Sequence, residues 1–120
     1  MAKKAALVFG IIFVIVGITG FIPNNPLASG NGLFEVNAIH NLVHIILGLI
    51  LIFAANKAAA AALKWEGVLY LVVADLGFFT GSFIGLFNEN AADNWLHLVL
   101  GIVLLAIGWS AAKNSSAPQM

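Results

Sequence analysis

The sequence has no cysteine, no arginine and little charge of either sign. Without cysteine the chain has no disulfide, no thiolate metal ligand and no cysteine nucleophile. The lack of arginine and a net charge of zero remove the electrostatic footprint that nucleic acid binding requires. Only 8% of the residues are charged, whereas a soluble domain usually has about 25%. These absences exclude disulfide scaffolds and nucleic acid partners, and they indicate a membrane protein.

Apolar residues make up 62% of the 120-residue chain. A soluble domain of this size buries only part of its surface and would not hide so much apolar area. Four apolar segments approach the roughly 20 residues that a helix needs to cross a bilayer. They lie at about residues 5–22, 38–55, 67–87 and 95–112. A cleaved signal peptide is the alternative for the first segment, but that segment is longer than the roughly 7–15 residues of a signal core.

The lysines predict how these segments cross the membrane. All five fall at the N-terminus, in the second loop or at the C-terminus: Lys3, Lys4, Lys57, Lys64 and Lys113. The first and third loops contain acidic residues but no lysine. Because positively charged segments stay in the cytoplasm, we expect both termini on the cytoplasmic side of the cell (plasma) membrane.

The fold class that follows is all-α, a polytopic membrane four-helix bundle. Short connections make consecutive helices antiparallel neighbours, so we expect two tandem helix hairpins. They occupy residues 1–113 as one domain, and residues 114–120 are expected to form a disordered tail. The alanine-rich residues 56–64 either extend the second helix or form a connecting turn.

A short motif occurs twice and relates the two hairpins. Asn41, His44 and Gly48 return 53 residues later as Asn94, His97 and Gly101. These spacings place the three side chains of each copy on one helix face. The repeat indicates an internal duplication, with the hairpins related by a pseudo-two-fold axis along the membrane normal. The first and third helices match less well, although both carry glycine stripes.

Polar side chains inside the apolar segments form the candidate site. Such groups are costly in lipid unless they face the bundle interior, so we expect one polar cluster towards the outer half of the bundle. Its predicted members are Asn41, His44, Asp75, Asn94 and His97. His40 is the weakest candidate, because its repeat counterpart is Asp93 and it lies nearest the surface.

Four interpretations of this cluster stay open. The first is a packing network of interhelical hydrogen bonds, each worth about 0.6–2 kcal/mol in a membrane. In the second, His44 and His97 bind a cofactor such as haem iron from its two sides, although no arginine is present to meet the propionates. The third is a metal site of His44, His97 and Asp75. In the fourth, Asp75 is the acid of a proton or ion path.

The Asn-x-x-His-x-x-x-Gly repeat at residues 41–48 and 94–101 resembles a family of small bacterial four-helix membrane proteins classed as a domain of unknown function. The likeness covers nearly the whole chain, from the first segment to Trp109. It implies four membrane helices, and it supplies no activity and no catalytic residue.

The sequence favours a non-enzymatic structural or accessory protein of the membrane. No hydrolase triad motif, P-loop or HExxH motif is present. A haem-, metal- or small-molecule-binding bundle is the alternative, and proton-linked transport is the second alternative. No cofactor is identified by the sequence. The expected partners are the lipid bilayer and a second copy of the chain or another membrane protein.

Overall fold

The computed structural model describes residues 1–23, 26, 28–29, 34–35, 38–80 and 91–113. Within these ranges the chain forms four α-helices, which confirms the all-α class. The helices are α1 Ala2–Thr19, α2 Ala38–Ala54, α3 Ala59–Thr80 and α4 Ala91–Lys113. Between α1 and α2, the two-residue strands β1 (Ala28–Ser29) and β2 (Phe34–Glu35) pair in parallel.

The third helix begins earlier than its hydropathy predicts. The apolar pattern predicted a start at Gly67, whereas α3 begins at Ala59. Alanine has the highest helix propensity of any residue type, which suits the alanine-rich start of α3. Neither alternative for residues 56–64 holds for the whole stretch, because residues 56–57 lie in a turn and residues 59–64 begin α3. A tight turn at residues 55–57 separates the two helices. The predicted continuation to residue 87, its glycines at positions 81 and 85 and the 114–120 tail lie outside the described residues.

Two of the helices are long and apolar enough to cross a membrane by length and composition. They are α1 and, in α4, the segment Ala91–Ala111. With a rise of about 1.5 Å per residue, the 18 residues of α1 extend close to the thickness of a bilayer core, which is about 30 Å. Helix α2 is also apolar but has only 17 residues. Length and composition thus indicate membrane association for α1 and α4.

The helices pack mainly as two hairpins, α1 with α2 and α3 with α4. The hairpins meet through the contacts of α1 and α2 with α3 and of α1 with α4. Glycines allow the close approach within each hairpin. A methyl group on Gly10 would lie 2.7 Å from the carbonyl oxygen of Gly48, and one on Gly67 would lie 2.6 Å from the backbone nitrogen of Leu105. At both places the helix backbones are in direct contact.

The pattern of buried residues shows the duplication in all four helices. Helices α2 and α4 bury the same positions 53 residues apart: His40 and Asp93, Asn41 and Asn94, His44 and His97, Gly48 and Gly101, Leu51 and Leu104. Helices α1 and α3 do so 57 residues apart: Ala2 and Ala59, Ala6 and Leu63, Gly10 and Gly67, Phe13 and Tyr70, Gly17 and Ala74. The different spacing explains why the first and third helices match poorly at a fixed offset. The connection within the first hairpin is four residues longer than its counterpart.

The end of the bundle that carries the N-terminus has an apolar core. Leu51, Leu63 and Leu104 are fully buried there, one each from α2, α3 and α4. Small alanines from α1, α3, α4 and the turn after α2 surround them: Ala2, Ala6, Ala55, Ala59 and Ala111. The buried histidines lie towards the other end, where α2 and α4 begin.

Candidate metal centre

Three histidines from two helices converge in the bundle interior. His40 and His44 are four residues apart on α2, so their side chains lie on one face of that helix, one turn apart. His97 projects from the equivalent face of α4. All three side chains are buried. One nitrogen of each ring can be chosen so that the three atoms lie within 4.8 Å of one another.

The rings form a compact group. The centroid of His40 lies 4.7 Å from that of His44 and 5.7 Å from that of His97. The centroids of His44 and His97 are 6.3 Å apart. Nitrogens that share one tetrahedral zinc ion at about 2.0–2.1 Å are about 3.4 Å from one another. Small side-chain rotations would therefore bring the three rings to one ion.

Two further aromatic rings lie beneath the histidines. Phe13 of α1 and Tyr70 of α3 are counterparts in the duplication, and their ring centroids are 5.5 Å apart. Tyr70 lies 5.4 Å from His97, and Phe13 lies 6.2 Å from His44. These rings separate the histidines from the apolar end of the bundle.

The histidine cluster borders a cavity of about 110 Å³. All three imidazoles and Tyr70 line it. The rest of the wall is apolar and comes from two helices: Val43 and Leu47 of α2, and Leu69 and Val73 of α3. Leu69 is also exposed on the outer surface of the bundle. The cavity therefore lies at the seam between α2 and α3.

Several buried polar atoms in this region have no hydrogen-bond partner among the described residues. They include both ring nitrogens of His44, the hydroxyl oxygen of Tyr70 and both carboxyl oxygens of Glu66. A buried polar atom without a partner costs about 1–3 kcal/mol. Such atoms mark positions where a further group would be stabilised.

The two asparagines of the repeat contact their own hairpins. A methyl group on Gly20 would overlap the Asn41 side chain, and one on Gly77 would overlap the Asn94 side chain. Each asparagine thus packs against the end of the preceding helix, where only a glycine leaves room. The structure buries Asn41, Asn94, His44 and His97 together in one half of the bundle, but the asparagines are not among the residues that line the cavity.

Asp75 does not join the cluster, which corrects its predicted position. Its side chain is exposed on the outer surface of the second hairpin. There it lines a groove with Val72, Phe78 and Leu98, whereas Tyr70 and Val73 of the same helix face the histidine cavity. Both faces of α3 are apolar, so the sequence pattern did not reveal which one turns inward.

Three buried residues of this region were missed or ranked low by the sequence analysis. His40 was the weakest candidate, yet it joins the cluster because its i, i+4 relation to His44 places both rings on one face. Tyr70 and Glu66 are likewise four residues apart on the buried face of α3. The buried face of α3 could have been predicted from the alignment of α3 with α1 at a spacing of 57 residues, which pairs Tyr70 with Phe13.

The residues present fit a metal ion better than a haem. Imidazole nitrogen is a good ligand for zinc and copper, and three histidines leave the fourth tetrahedral position open. A cavity of about 110 Å³ is too small for a porphyrin, because a cavity of about 150 Å³ holds only a molecule such as benzene or xenon. The ring of His40 also lies close to both His44 and His97, so it occupies space beside the pair that would hold haem iron.

Comparison with known families confirms that the chain is a member of a family whose function is not known. The family described as Domain of unknown function (DUF4383) matches residues 3–110. The chain therefore belongs to this family. No curated protein and no solved structure was found to match it.

Proposed function

We propose that this member of the DUF4383 family is a multi-pass membrane protein that binds one transition-metal ion through His40, His44 and His97. The observation that carries the proposal is the convergence of three buried imidazoles with nitrogens within 4.8 Å of one another. Zinc and copper are the metals that such a ligand set favours. The proposed role is binding of the metal and not catalysis of a reaction.

The proposed membrane location is supported by the outer faces of the helices. Helix α1 exposes five large apolar side chains: Val8, Ile11, Ile12, Ile15 and Ile18. Helix α4 exposes Val99, Ile102 and Val103 in the same way. Soluble monomers rarely expose large contiguous apolar patches, whereas lipid would cover these faces.

The proposed orientation follows from the lysines. With four spans, the lysine-bearing termini and the α2–α3 turn lie together on the cytoplasmic side of a bacterial inner membrane. The histidine cluster then lies in the outer half of the bundle. The lipid bilayer is the proposed partner of the outer faces.

A bound metal accounts for His44 better than a packing network does. Neither ring nitrogen of His44 has a hydrogen-bond partner among the described residues, although its side chain is buried. A network that served packing alone would be expected to satisfy at least one of them. Coordination to a metal ion would give one nitrogen its partner and draw the three helix-borne rings together.

Metal binding is tested on the purified chain in mild detergent. The metal-free protein is titrated with Zn²⁺, with Cu⁺ under reducing conditions and with Co²⁺, whose visible spectrum reports tetrahedral coordination. We expect one ion per chain and a gain in thermal stability. A ligand that binds only the folded state adds about 2.7 kcal/mol at one hundred times its Kd.

The variants His44→Gln and His97→Gln should each weaken binding by at least 100-fold, since each removes a ligand and not merely a supporting group. Tyr70→Phe is the matched control, because it alters the cavity wall but keeps all three imidazoles. The helix content and the melting temperature of each metal-free variant establish that it is folded. Absence of stoichiometric metal in a folded parent, or equal affinity in all variants, would refute the proposal.

A further inference from the structure

The side chains that line the cavity beside the histidine cluster favour an apolar occupant over water. Apart from the three imidazoles, the Tyr70 hydroxyl is the one polar group among the side chains that line it. When the imidazoles hold a metal ion, the remaining wall is formed by Val43, Leu47, Leu69 and Val73 together with Tyr70. An ordered water needs roughly 2–4 polar partners, which this wall does not offer.

The volume of the cavity limits the size of the molecule that it can hold. Its volume is about 110 Å³, and a water molecule takes up about 30 Å³ in the liquid. An apolar cavity of about 150 Å³ stays dry and binds benzene or xenon. The present cavity therefore has room for a molecule of about three or four heavy atoms but not for an ordinary metabolite.

The position of the cavity offers access from the lipid. Leu69 lines the cavity and is also 41% exposed on the outer surface. The cavity is thus partly open to the outer surface at the seam between α2 and α3. Apolar molecules prefer an apolar phase to water, so a bilayer around this seam would supply small apolar solutes and exclude ions.

We propose that this cavity binds a neutral diatomic gas, such as dioxygen, which reaches it from the lipid between α2 and α3. The inference rests on the proposed metal site in one respect: the gas would occupy the open fourth position of an ion held by the three histidines. The cavity itself exists without the metal, so the two ideas are separable.

The first test uses carbon monoxide as the probe gas on protein loaded with Cu⁺. Carbon monoxide bound to Cu⁺ has an infrared stretching band, which reports binding directly. Val73→Phe fills the cavity from α3, and Val43→Leu fills it less from α2. The matched control is Val72→Phe, because Val72 is exposed on the outer surface and lines a different groove. All four proteins should load equal copper.

We expect the carbon monoxide band in the parent and in Val72→Phe. Its affinity should fall at least tenfold in Val73→Phe and by a smaller factor in Val43→Leu. If the copper-loaded parent shows no band, or if Val73→Phe binds the gas as tightly as Val72→Phe does, the gas does not reach the ion through this cavity. Binding of the gas at the fourth position is then overturned, and the metal site stands.

The second test uses xenon on the metal-free parent and needs no variant. Xenon pressure should shift the backbone amide NMR signals of Val43, Leu69 and Val73 in a saturating way. The signals of the lipid-facing residues Val72 and Ile102 should change only linearly. If the cavity residues respond no more than the outer ones, the cavity is not a gas site. If copper does not bind but xenon saturates, the metal proposal fails and the gas site remains.

Discussion

The two hairpins share a backbone plan but differ at several positions, among them three on the inward faces of the helices. Where the first hairpin has Phe9, Phe13 and His40, the second has Glu66, Tyr70 and Asp93. The closely packed glycines and the paired His44 and His97 are common to both. Duplication therefore explains how the helices pack. The histidine cluster and its surroundings depend on the residues that differ between the two hairpins.

Which hairpin supplies the additional functional side chain differs between the two helix pairs. On α2 and α4, the first hairpin supplies the extra imidazole that completes the three-histidine cluster. On α1 and α3, the second hairpin supplies the polar side chains, Glu66 and Tyr70. Each half thus lacks something that the other contributes, and a symmetric dimer of either hairpin would not reproduce this arrangement. Replacing a residue of one hairpin by its counterpart in the other tests how much each difference contributes to the free energy of unfolding.

The largest effect on stability is expected when the carboxyl of Glu66 is copied to the equivalent position of the first hairpin, Phe9. Phe9 packs against Phe13, with ring centroids 6.1 Å apart. Phe9→Glu should lower the free energy of unfolding by about 3 kcal/mol, because it removes this packing and adds an acid to an apolar helix. Unfolding in mixed micelles measures the change. Phe9→Leu is the control and should cost less than half as much. A Phe9→Glu variant as stable as Phe9→Leu would contradict the packing described for α1.

The next effect compares the central glycines of the two hairpins. A methyl group on Gly48 would lie 2.5 Å from the backbone oxygen of Gly10, whereas one on Gly101 would lie 2.7 Å from the Leu71 side chain and 2.9 Å from the Leu71 backbone nitrogen. Side chains move more easily than helix backbones. Gly48→Ala should therefore cost about 2 kcal/mol, within the range for overpacking, and Gly101→Ala should cost less. Unfolding in mixed micelles measures both losses of stability. A larger loss in Gly101→Ala than in Gly48→Ala would mean that the second hairpin is the more rigid one.

A smaller gain is expected when Glu66 is made apolar. Neither of its carboxyl oxygens has a hydrogen-bond partner among the described residues, and the side chain is only 4% exposed. Glu66→Leu should raise the free energy of unfolding by about 1–2 kcal/mol, because burying an unpaired polar group is costly. Asp75→Leu is the control at an exposed site on the same helix. A loss of stability in Glu66→Leu would show that the carboxyl has a partner in the folded protein.

The smallest effect is expected at the position where the halves differ by one hydroxyl. Tyr70→Phe makes α3 match Phe13 of α1 and removes a buried hydroxyl without a partner among the described residues. Stability should rise by about 0.5–1 kcal/mol. The double variant with Glu66→Leu should deviate from additivity, since residues four apart on a helix are neighbours. Strict additivity would mean that the two side chains do not interact.

Much of the fold and part of the site could be predicted from the sequence. The low charge and the apolar segments predicted an all-α chain, and the repeated motif placed His44 and His97 on equivalent helix faces. The predicted start of α3 was wrong because the charged Lys64 and Glu66 interrupt the apolar run, so the span was placed after them. Asp75 was assigned to the interior because an acid in an apolar segment was expected to face inward.

The helical class, the duplication and the two histidines that face each other across it can be inferred from the order of residues alone. These features depend on local spacing and composition, which are visible along one chain. Tertiary structure alone decided that His40 joins them, that Tyr70 and not Asp75 faces the cavity, and that Glu66 is buried. The reason is the rotation of each helix about its axis. A helix that is apolar on every side carries little amphipathic signal, so only its packing against the other helices selects the face that turns inward.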